Sequence, residues 1–433
     1  MTITIVGHGY VGLVTACVFA DFGNDVWVIG HTKEKVDRLK KGDPIIYEPG
    51  LAELLQKNIK AKRIHFGLDY SPVSDSEIVF ITVGTPPKES GEADLSAVFE
   101  VARNIAKNLS GSKNHFTVVS CKSTVPVGTN KKVAVILEKH ASKNVKFSVA
   151  SCPEFLREGT AIYDTLNADR VVAGSDSKKA IDLLLKLHEP INGKRVVTDL
   201  ASAELIKYVS NAMLATKISF ANLISFYAES VDANVEAVLD AVGLDKRIGR
   251  IFMYPGVGYG GSCLPKDVLA LIDSGKKLGI DSNFLTEVEK INYLAKEKFL
   301  KKILKYSPGK NIAVWGLAFK PNTDDIRFAP SIFIIENLIR EGFSLSVYDQ
   351  EAEENIRRIF GEKVRYATNV YQCLKNADAL VILTEWNEFR QIDLEKVKKL
   401  LKNPVIFDGR NIYLPETMKK IGFRYFSIGR KSV

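Results

Sequence analysis

At 433 residues, the chain is longer than one hydrophobic core ordinarily supports, which points to two or three domains. Its 46% hydrophobic and 26% charged content is that of a soluble globular protein, and no apolar run is long enough to span a bilayer, so a membrane partner is not expected. The net charge of +9 is carried by lysines dispersed among glutamates, which argues against nucleic acid and for a small phosphate-bearing ligand drawn in by the positive field.

The first residues, Met1-Thr2-Ile3-Thr4-Ile5-Val6-Gly7, read as a strand entering a glycine turn and not as a targeting segment, so the expected location is cytoplasmic. To about residue 200, short β-branched runs alternate with amphipathic helical stretches, the pattern of a parallel sheet covered by helices. The predicted strands are Thr2-Val6, Asp25-Ile29, Ile78-Val83, Thr117-Ser120 and Phe147-Ser151. Leu200 to Val242 contains neither glycine nor proline, and its apolar spacing predicts one helix to about Ser230 and a second from near Asn234. A helix of that length is expected to connect two domains and to pack against a partner subunit. After Ser307-Pro308-Gly309 the α/β pattern restarts with predicted strands Ile312-Trp315, Ser344-Tyr348, Ala379-Leu383 and Val405-Phe407. The expected fold is thus α/β, two Rossmann-like doubly wound domains joined by a long central helix. The expected domains are residues 1–199, 200–306 and 307–433, the middle one a helical connector.

Gly7-His8-Gly9-Tyr10-Val11-Gly12 follows a strand and opens a helix, the context that a dinucleotide fingerprint requires. Gly7 permits the turn, Gly9 lets the backbone approach a pyrophosphate, and Gly12 allows close packing of helix on strand. The first strand of the second half also leads into a glycine, Gly316, without a full fingerprint. The acidic residue that would hold the adenosine ribose is missing at the end of the second strand, where Gly30-His31-Thr32-Lys33 stands. The cofactor is therefore read as NAD, with NADP left open by Gly30.

The five cysteines are odd in number and unpaired in spacing, so neither a disulfide framework nor a metal site is expected. Cys263 lies in a glycine-rich loop beside Lys266 and Asp267, where a thiol near a cation is held partly as thiolate and can attack a carbonyl. On the loop alone, a packing cysteine is an equal reading. Lys207 and Asn211, four residues apart on the long helix, could converge on a developing oxyanion, although an exposed lysine with a neutral neighbour explains the spacing as well. Glu154 and Glu158 could divide base work from orientation, or be a capping pair.

Four segments carry a resemblance. Ser123-Thr124-Val125-Pro126-Val127-Gly128-Thr129, Pro153-Glu154-Phe155-Leu156-Arg157-Glu158-Gly159, Gly258-Tyr259-Gly260-Gly261-Ser262-Cys263-Leu264-Pro265-Lys266-Asp267 and Phe319-Lys320-Pro321-Asn322-Thr323-Asp324-Asp325-Ile326-Arg327 resemble the signatures of the UDP-glucose/GDP-mannose dehydrogenase family, in family order over nearly the whole chain. The resemblance implies an NAD-dependent, two-step, four-electron oxidation of the C6 alcohol of UDP-glucose to UDP-glucuronate through a thiohemiacetal and thioester on Cys263. It implies that residues 1–199 bind the dinucleotide, 200–306 mediate dimerisation and 307–433 bind the nucleotide sugar, that Lys207 and Asn211 hold the C6 oxygen, and that Asp267 and Glu154 assist proton transfer. It also implies that Glu158 lies by the cofactor and that Thr124 places a hydroxyl near both Glu154 and Glu158. It assigns Gly7, Gly9, Tyr10, Val11, Gly12, Gly30, Lys35, Thr85, Thr124, Glu158, Lys266 and Arg327 to the cofactor. To the substrate it assigns Glu154, Phe155, Leu156, Arg157, Lys207, Asn211, Phe252, Tyr254, Gly256, Gly260 and Lys320, with Arg247 reaching in from a neighbouring subunit of a homodimer or larger assembly. Cys152 replaces the asparagine often found before Pro-Glu-Phe, and Phe328 stands where glutamate or a small polar residue is common. GDP-mannose or a UDP-N-acetylhexosamine are the alternative substrates, and a non-catalytic nucleotide-sugar binder is the alternative of another class.

Overall fold

Short strands, the central ones buried along nearly their whole length, build two predominantly parallel sheets in the computed structural model, which describes residues 1–109 and 116–433. The first contains β1 (Thr2–Val6), β2 (Asp25–Ile29), β3 (Ile64–Gly67), β4 (Ile78–Ile81), β5 (Thr117–Cys121), β6 (Phe147–Ser151), β7 (Asn167–Gly174) and β8 (Asn192–Thr198), in the order 3-2-1-4-5-6-7-8. The first six are parallel in the doubly wound order of dinucleotide-binding folds. β7 joins β6 antiparallel at Ser151 and Gly174, and β8 runs parallel to β7.

The second sheet contains β9 (Asn311–Trp315), β10 (Ser344–Tyr348), β11 (Arg365–Tyr366), β12 (Ala379–Ile382), β13 (Val405–Asp408) and β14 (Arg424–Phe426). Its order, 11-10-9-12-13-14, repeats the same topology with all pairs parallel. The expected pair of doubly wound sheets is present, as is the long helix Leu200–Ser230. The next helix, Val235–Gly243, starts where Asn234 accepts the Glu236 N–H at 3.0 Å.

Strand periodicity explains both cores. In the first sheet Ile78 and Phe80 join one apolar cluster, while Val79 and Ile81 join the cluster on the other face. In the second, Ile312 and Val314 face one way and Ala313 and Trp315 the other. By contacts the chain divides into two compact units, Met1–Ser210 with Leu269–Lys277, and Asn211–Val268 with Leu278–Val433.

Five strands were not expected from the sequence. β11 and β14 are too short to show a period, β3 carries only Ile64 and Phe66 as apolar residues beside His65 and Gly67, and β8 begins with exposed Asn192, Gly193 and Lys194 at the sheet edge, so it lacks an apolar signal. β7 starts polar and becomes buried only from Val171.

The glycine turns after β1 and β9 end differently. At Gly7, φ is +120°, and Thr82 Oγ1 donates to the Val6 and Gly7 carbonyls (2.9 and 3.2 Å). A Cβ on Gly12 would lie 2.1 Å from the Gly7 carbonyl oxygen, so helix and turn pack as the fingerprint demands. After β9, Asp349 Oδ2 accepts the Leu317 and Ala318 amides (2.6 and 3.1 Å) and Trp386 Nε1 (3.0 Å). That turn's amides are spent within the protein.

Among the buried polar groups of the first unit, His188 donates from Nδ1 to the Leu184 carbonyl at 2.8 Å and meets the Phe19 and Phe80 rings edge-on. Burial first, then the nearby Lys122 charge, push its pKa from 6.5 down to about 3. The unfolded chain takes up this proton below 6.5 and the folded chain does not until about 3, so stability is full above that window and is lost as pH falls through it. Urea unfolding between about pH 7 and about pH 4.5 should show a shallower acid loss for His188→Gln than for the wild type. Equal slopes would mean that His188 does not stay neutral in the fold.

Candidate active site

In the first unit, the helix Tyr10–Asp21 has Gly9 as its N-cap, no side-chain cap and no acidic residue in its first turn. Its leading amides are therefore left for an anion. A Cβ on Gly9 would meet nothing within 4 Å, so the open space lies where a pyrophosphate would pass. Tyr10 donates its hydroxyl to Glu48, and Glu48 also accepts the Gly159 and Ala161 amides at 2.6 and 2.7 Å. This buried carboxylate ties the fingerprint to the loop carrying Glu158. Neither periodicity nor motif pointed to it.

The Ser123–Thr129 segment is fixed by Glu204, whose carboxylate accepts the Gly128 N–H (2.6 Å), the Asn130 N–H (2.7 Å) and Asn130 Nδ2 (2.7 Å). Burial nevertheless raises the Glu204 pKa. Thr85 Oγ1 donates to the Thr124 carbonyl at 2.9 Å, which brings two sequence-predicted residues together.

Glu154 and Lys207 meet in a buried ion pair, Nζ to Oε1 at 3.1 Å, with side-chain exposures of 9% and 5%. The other Glu154 oxygen accepts the Leu156 N–H at 2.7 Å. Lys207 is therefore not the exposed lysine of the plainer sequence reading. Phe155 lies under both cations: Lys207 Nζ is 5.3 Å and Arg170 Cζ 3.8 Å from its ring centre, and Arg170 Nη2 donates to Ser210 at 3.0 Å. Arg170, on β7, was missed because that strand begins polar. Arg157, by contrast, is turned to Asp164, which it grips from Nε and Nη2 at 3.0 and 2.6 Å.

In the second unit, Asn211 Nδ2 donates to Asp267 Oδ2 at 2.6 Å, and Lys266 bonds the other oxygen of the fully buried Asp267. The Asp267 N–H donates to the Cys263 carbonyl at 3.0 Å, which opens the helix Leu264–Lys277. Cys263 is exposed, whereas Cys17, Cys121, Cys152 and Cys373 are buried. Burial pushes the Cys17, Cys121 and Cys373 thiols up to about 12 and raises Cys152 as well, which keeps all four protonated. Of the five cysteines, Cys263 is the exposed one.

The loop before it is tied to the distant Phe319–Arg327 segment. The Gly261 N–H donates to the Arg327 carbonyl at 2.8 Å, and a Cβ on Gly260 would fall 2.3 Å from the Phe328 carbonyl oxygen. Arg410, unremarked in the sequence, bonds the Gly258 and Phe319 carbonyls, each at 3.1 Å. Lys320 Nζ is 5.5 Å from the Phe319 ring, and Arg327 pairs with Asp325 through Nε and Nη2 at 2.8 and 2.7 Å. Phe328 adopts φ +54°.

Phe252 (φ +68°), Tyr254 and Gly256 form a loop fastened by Arg250, which is 4.6 Å from the Tyr254 ring and bonds the Met253 carbonyl; Gly256 N–H donates to Asn222 at 2.8 Å. Arg247 stands apart. Its side chain is 89% exposed and pairs with Asp245.

Residues 1–192 match the NAD binding domain of the UDP-glucose/GDP-mannose dehydrogenase family, residues 201–293 its central domain and residues 313–415 its UDP binding domain. The chain belongs to that family. It is accordingly an NAD-dependent nucleotide-sugar dehydrogenase. It is 46% identical over 435 residues to the UDP-glucose 6-dehydrogenase TuaD of Bacillus subtilis, covering 100% of this chain and 94% of the relative. The UDP-glucose dehydrogenase structure from the archaeon Pyrobaculum islandicum superposes with a TM-score of 0.92 at 36% identity, over 99% of this chain and 98% of that one. A UDP-D-ManNAc dehydrogenase from Pyrococcus horikoshii gives 0.84 at 27% identity, over 99% of both chains. Among the described residues, no helix is long and apolar enough to cross a membrane.

The buried pair supplies a direct test. Lys207→Met leaves the Glu154 carboxylate buried without its cation, which should cost about 3–5 kcal/mol in urea unfolding, and adding Glu154→Gln should recover much of that loss. Additive losses in the double variant would show that the two groups are not coupled.

Proposed function

We propose that this dehydrogenase oxidises the C6 alcohol of UDP-glucose to the carboxylate of UDP-glucuronate, through covalent intermediates on Cys263. The observation that carries the chemistry is the exposure of Cys263 among otherwise buried thiols, at the mouth of a helix whose first turn holds Lys266 and Asp267. The choice of UDP-glucose is supported by the two relatives that carry that sugar nucleotide in their names.

The glycine turn at residues 7–12 fits a dinucleotide: its amides are uncapped and Gly9 leaves room for the pyrophosphate. Gly7, Gly9, Tyr10, Val11 and Gly12 would hold it, with Thr85, Thr124 and Glu158 from neighbouring loops and Lys266 and Arg327 also assigned to it. Two NAD molecules, bound one after the other, would each supply the acceptor for one of the two hydrides that leave C6.

The helix Leu200–Ser230 carries Lys207 and Asn211 one turn apart. The ammonium and the amide would bind the C6 oxygen as it gains negative charge, because donors fixed before reaction need no reorganisation. As the first hydride leaves, the alcohol proton passes to water with Glu154 and Asp267 assisting the transfer, and an aldehyde results. The Cys263 thiolate then adds to that carbon to form a thiohemiacetal, with the new alkoxide protonated. Loss of the second hydride and of the hydroxyl proton leaves a thioester, and water releases the carboxylate and restores the thiol. Glu154, held by Lys207 and the Leu156 amide, would orient the water, while Asp267, gripped by Asn211 and Lys266, would keep the amide turned toward the oxygen. Phe155, Leu156, Arg157, Phe252, Tyr254, Gly256, Gly260 and Lys320 are assigned to the sugar nucleotide.

A homodimer is part of the proposal. Leu205, Val209, Met213, Phe220 and Tyr227 lie on one side of the long helix and are between 42% and 64% exposed, an apolar stripe that a second copy would cover. Exposed Arg247 would serve the neighbouring subunit's site.

Cofactor reduction on adding UDP-glucose tests the activity, with GDP-mannose and a UDP-N-acetylhexosamine as competitors; turnover confined to either competitor would overturn the substrate choice. Cys263→Ser should abolish formation of the acid while UDP-glucose still binds, because an oxygen ester hydrolyses far more slowly than a thioester. Wild-type rates in this variant would sink the covalent mechanism. Met213→Glu combined with Phe220→Glu should weaken self-association by at least about a hundredfold, read as a monomer in sedimentation; an unchanged sedimentation coefficient would rule this stripe out as the interface.

A further inference from the structure

The adenosine end of the dinucleotide site is built differently from that of an NAD-enforcing site. There, a carboxylate at the end of β2 accepts the ribose hydroxyls and repels a further phosphate. Here the position is Gly30, and a carboxylate could not simply be restored: a Cβ would lie 2.5 Å from Val36 Cγ2 and 3.5 Å from the His8 ring. His8 fills that space. Its ring is packed edge-on against His31, centroids 4.9 Å apart.

The surroundings are basic and unsaturated. His8 is 3% exposed, and its buried Nε2 has no hydrogen-bond partner among the described residues. Burial first, then the neighbouring His31 and Lys35, push its pKa down to about 4, so His8 is neutral at physiological pH. Directly after His31, the helix Lys33–Lys40 begins at Thr32, whose hydroxyl makes no capping bond; the first intrahelical bond is from the Val36 N–H to the Thr32 carbonyl at 3.1 Å. The amides of the first turn are thus unspent. Lys33 is engaged by Asp37 at 2.6 Å, while Lys35 makes no ion pair among the described residues. Glu34 is the acidic residue of that turn, and it is exposed.

We propose that this corner is a subsite for a phosphomonoester on the adenosine 2′-oxygen, held by the Thr32 hydroxyl, the helix amides, His31 and Lys35, so that the enzyme accepts NADP as well as NAD. The proposal rests on the dinucleotide-binding role of the first domain and is independent of the sugar oxidised. Charge-assisted bonds of this kind are the stronger class, and the helix terminus adds to them.

The test is calorimetric binding of 2′,5′-ADP and 5′-ADP to the full-length protein, which needs no turnover. The wild type should bind 2′,5′-ADP at least as tightly as 5′-ADP. In Lys35→Ala and His31→Ala, both at exposed positions, the loss for 2′,5′-ADP should exceed the loss for 5′-ADP by about tenfold. A wild type that binds 2′,5′-ADP about tenfold or more weakly than 5′-ADP overturns the proposal, as does an equal loss for both ligands in the two variants. NADH formation with UDP-glucose, followed in parallel, reports separately on the proposed activity. Turnover with NAD alongside rejection of 2′,5′-ADP would remove only the phosphate subsite.

Discussion

The ion pair between Lys207 and Glu154 constrains much of the first unit's chemistry. Both charges are withdrawn from water, and such burial is tolerated only when each group finds its partner in good geometry. Glu154 meets that demand with one oxygen on Lys207 and the other on the Leu156 amide, which locks the loop after β6 into a single shape. Phe155, between them in the chain, is thereby held where both Lys207 and Arg170 approach its ring. A lysine restrained this way has lost most of its rotamer freedom before any ligand arrives, so little entropy remains to be lost on binding.

The same logic governs the second unit, where the buried carboxylate is Asp267. Its oxygens are taken by Asn211 and Lys266, and its amide closes the turn onto the Cys263 carbonyl. One residue thus fixes the direction of an amide side chain and the start of the helix behind the thiol. The glycines before Cys263 extend the effect. Gly260 admits the Phe328 carbonyl oxygen at a distance that a Cβ would forbid, Gly261 does the same for the Phe319 ring, and the Gly261 N–H bonds the Arg327 carbonyl, which joins segments more than fifty residues apart in the chain.

Two sheets that share one strand order over six strands put their glycine turns to different use. In the second, Asp349 at the end of β10 saturates the amides after Gly316 and leaves nothing for a phosphate. In the first, the position after β2 is Gly30, the turn amides stay open, and the space is taken by a neutral histidine. Topology alone therefore does not designate a dinucleotide site. The decision rests on which polar groups the turn has already used.

Much of this was legible in the sequence because it depends on local periodicity and on residues close together in the chain. The short β-branched runs of β1, β2, β9 and β10, the uninterrupted helix from Leu200, the new helix near Asn234 and the fingerprint at Gly7 all follow from steric and hydrogen-bonding rules acting within a few residues. Short or edge strands such as β8 and β14 were not legible, since they bury too little to leave a pattern. Long-range partners were decided only by the tertiary structure. Glu48 on the Gly159 loop, Glu204 on the Gly128 turn, Arg410 on two carbonyls and the burial of Lys207 against Glu154 arise when strands distant in sequence are laid side by side. A charged residue in a sequence reads the same whether it will face water or a buried counter-charge, and only the folded chain, by removing the water, settles which.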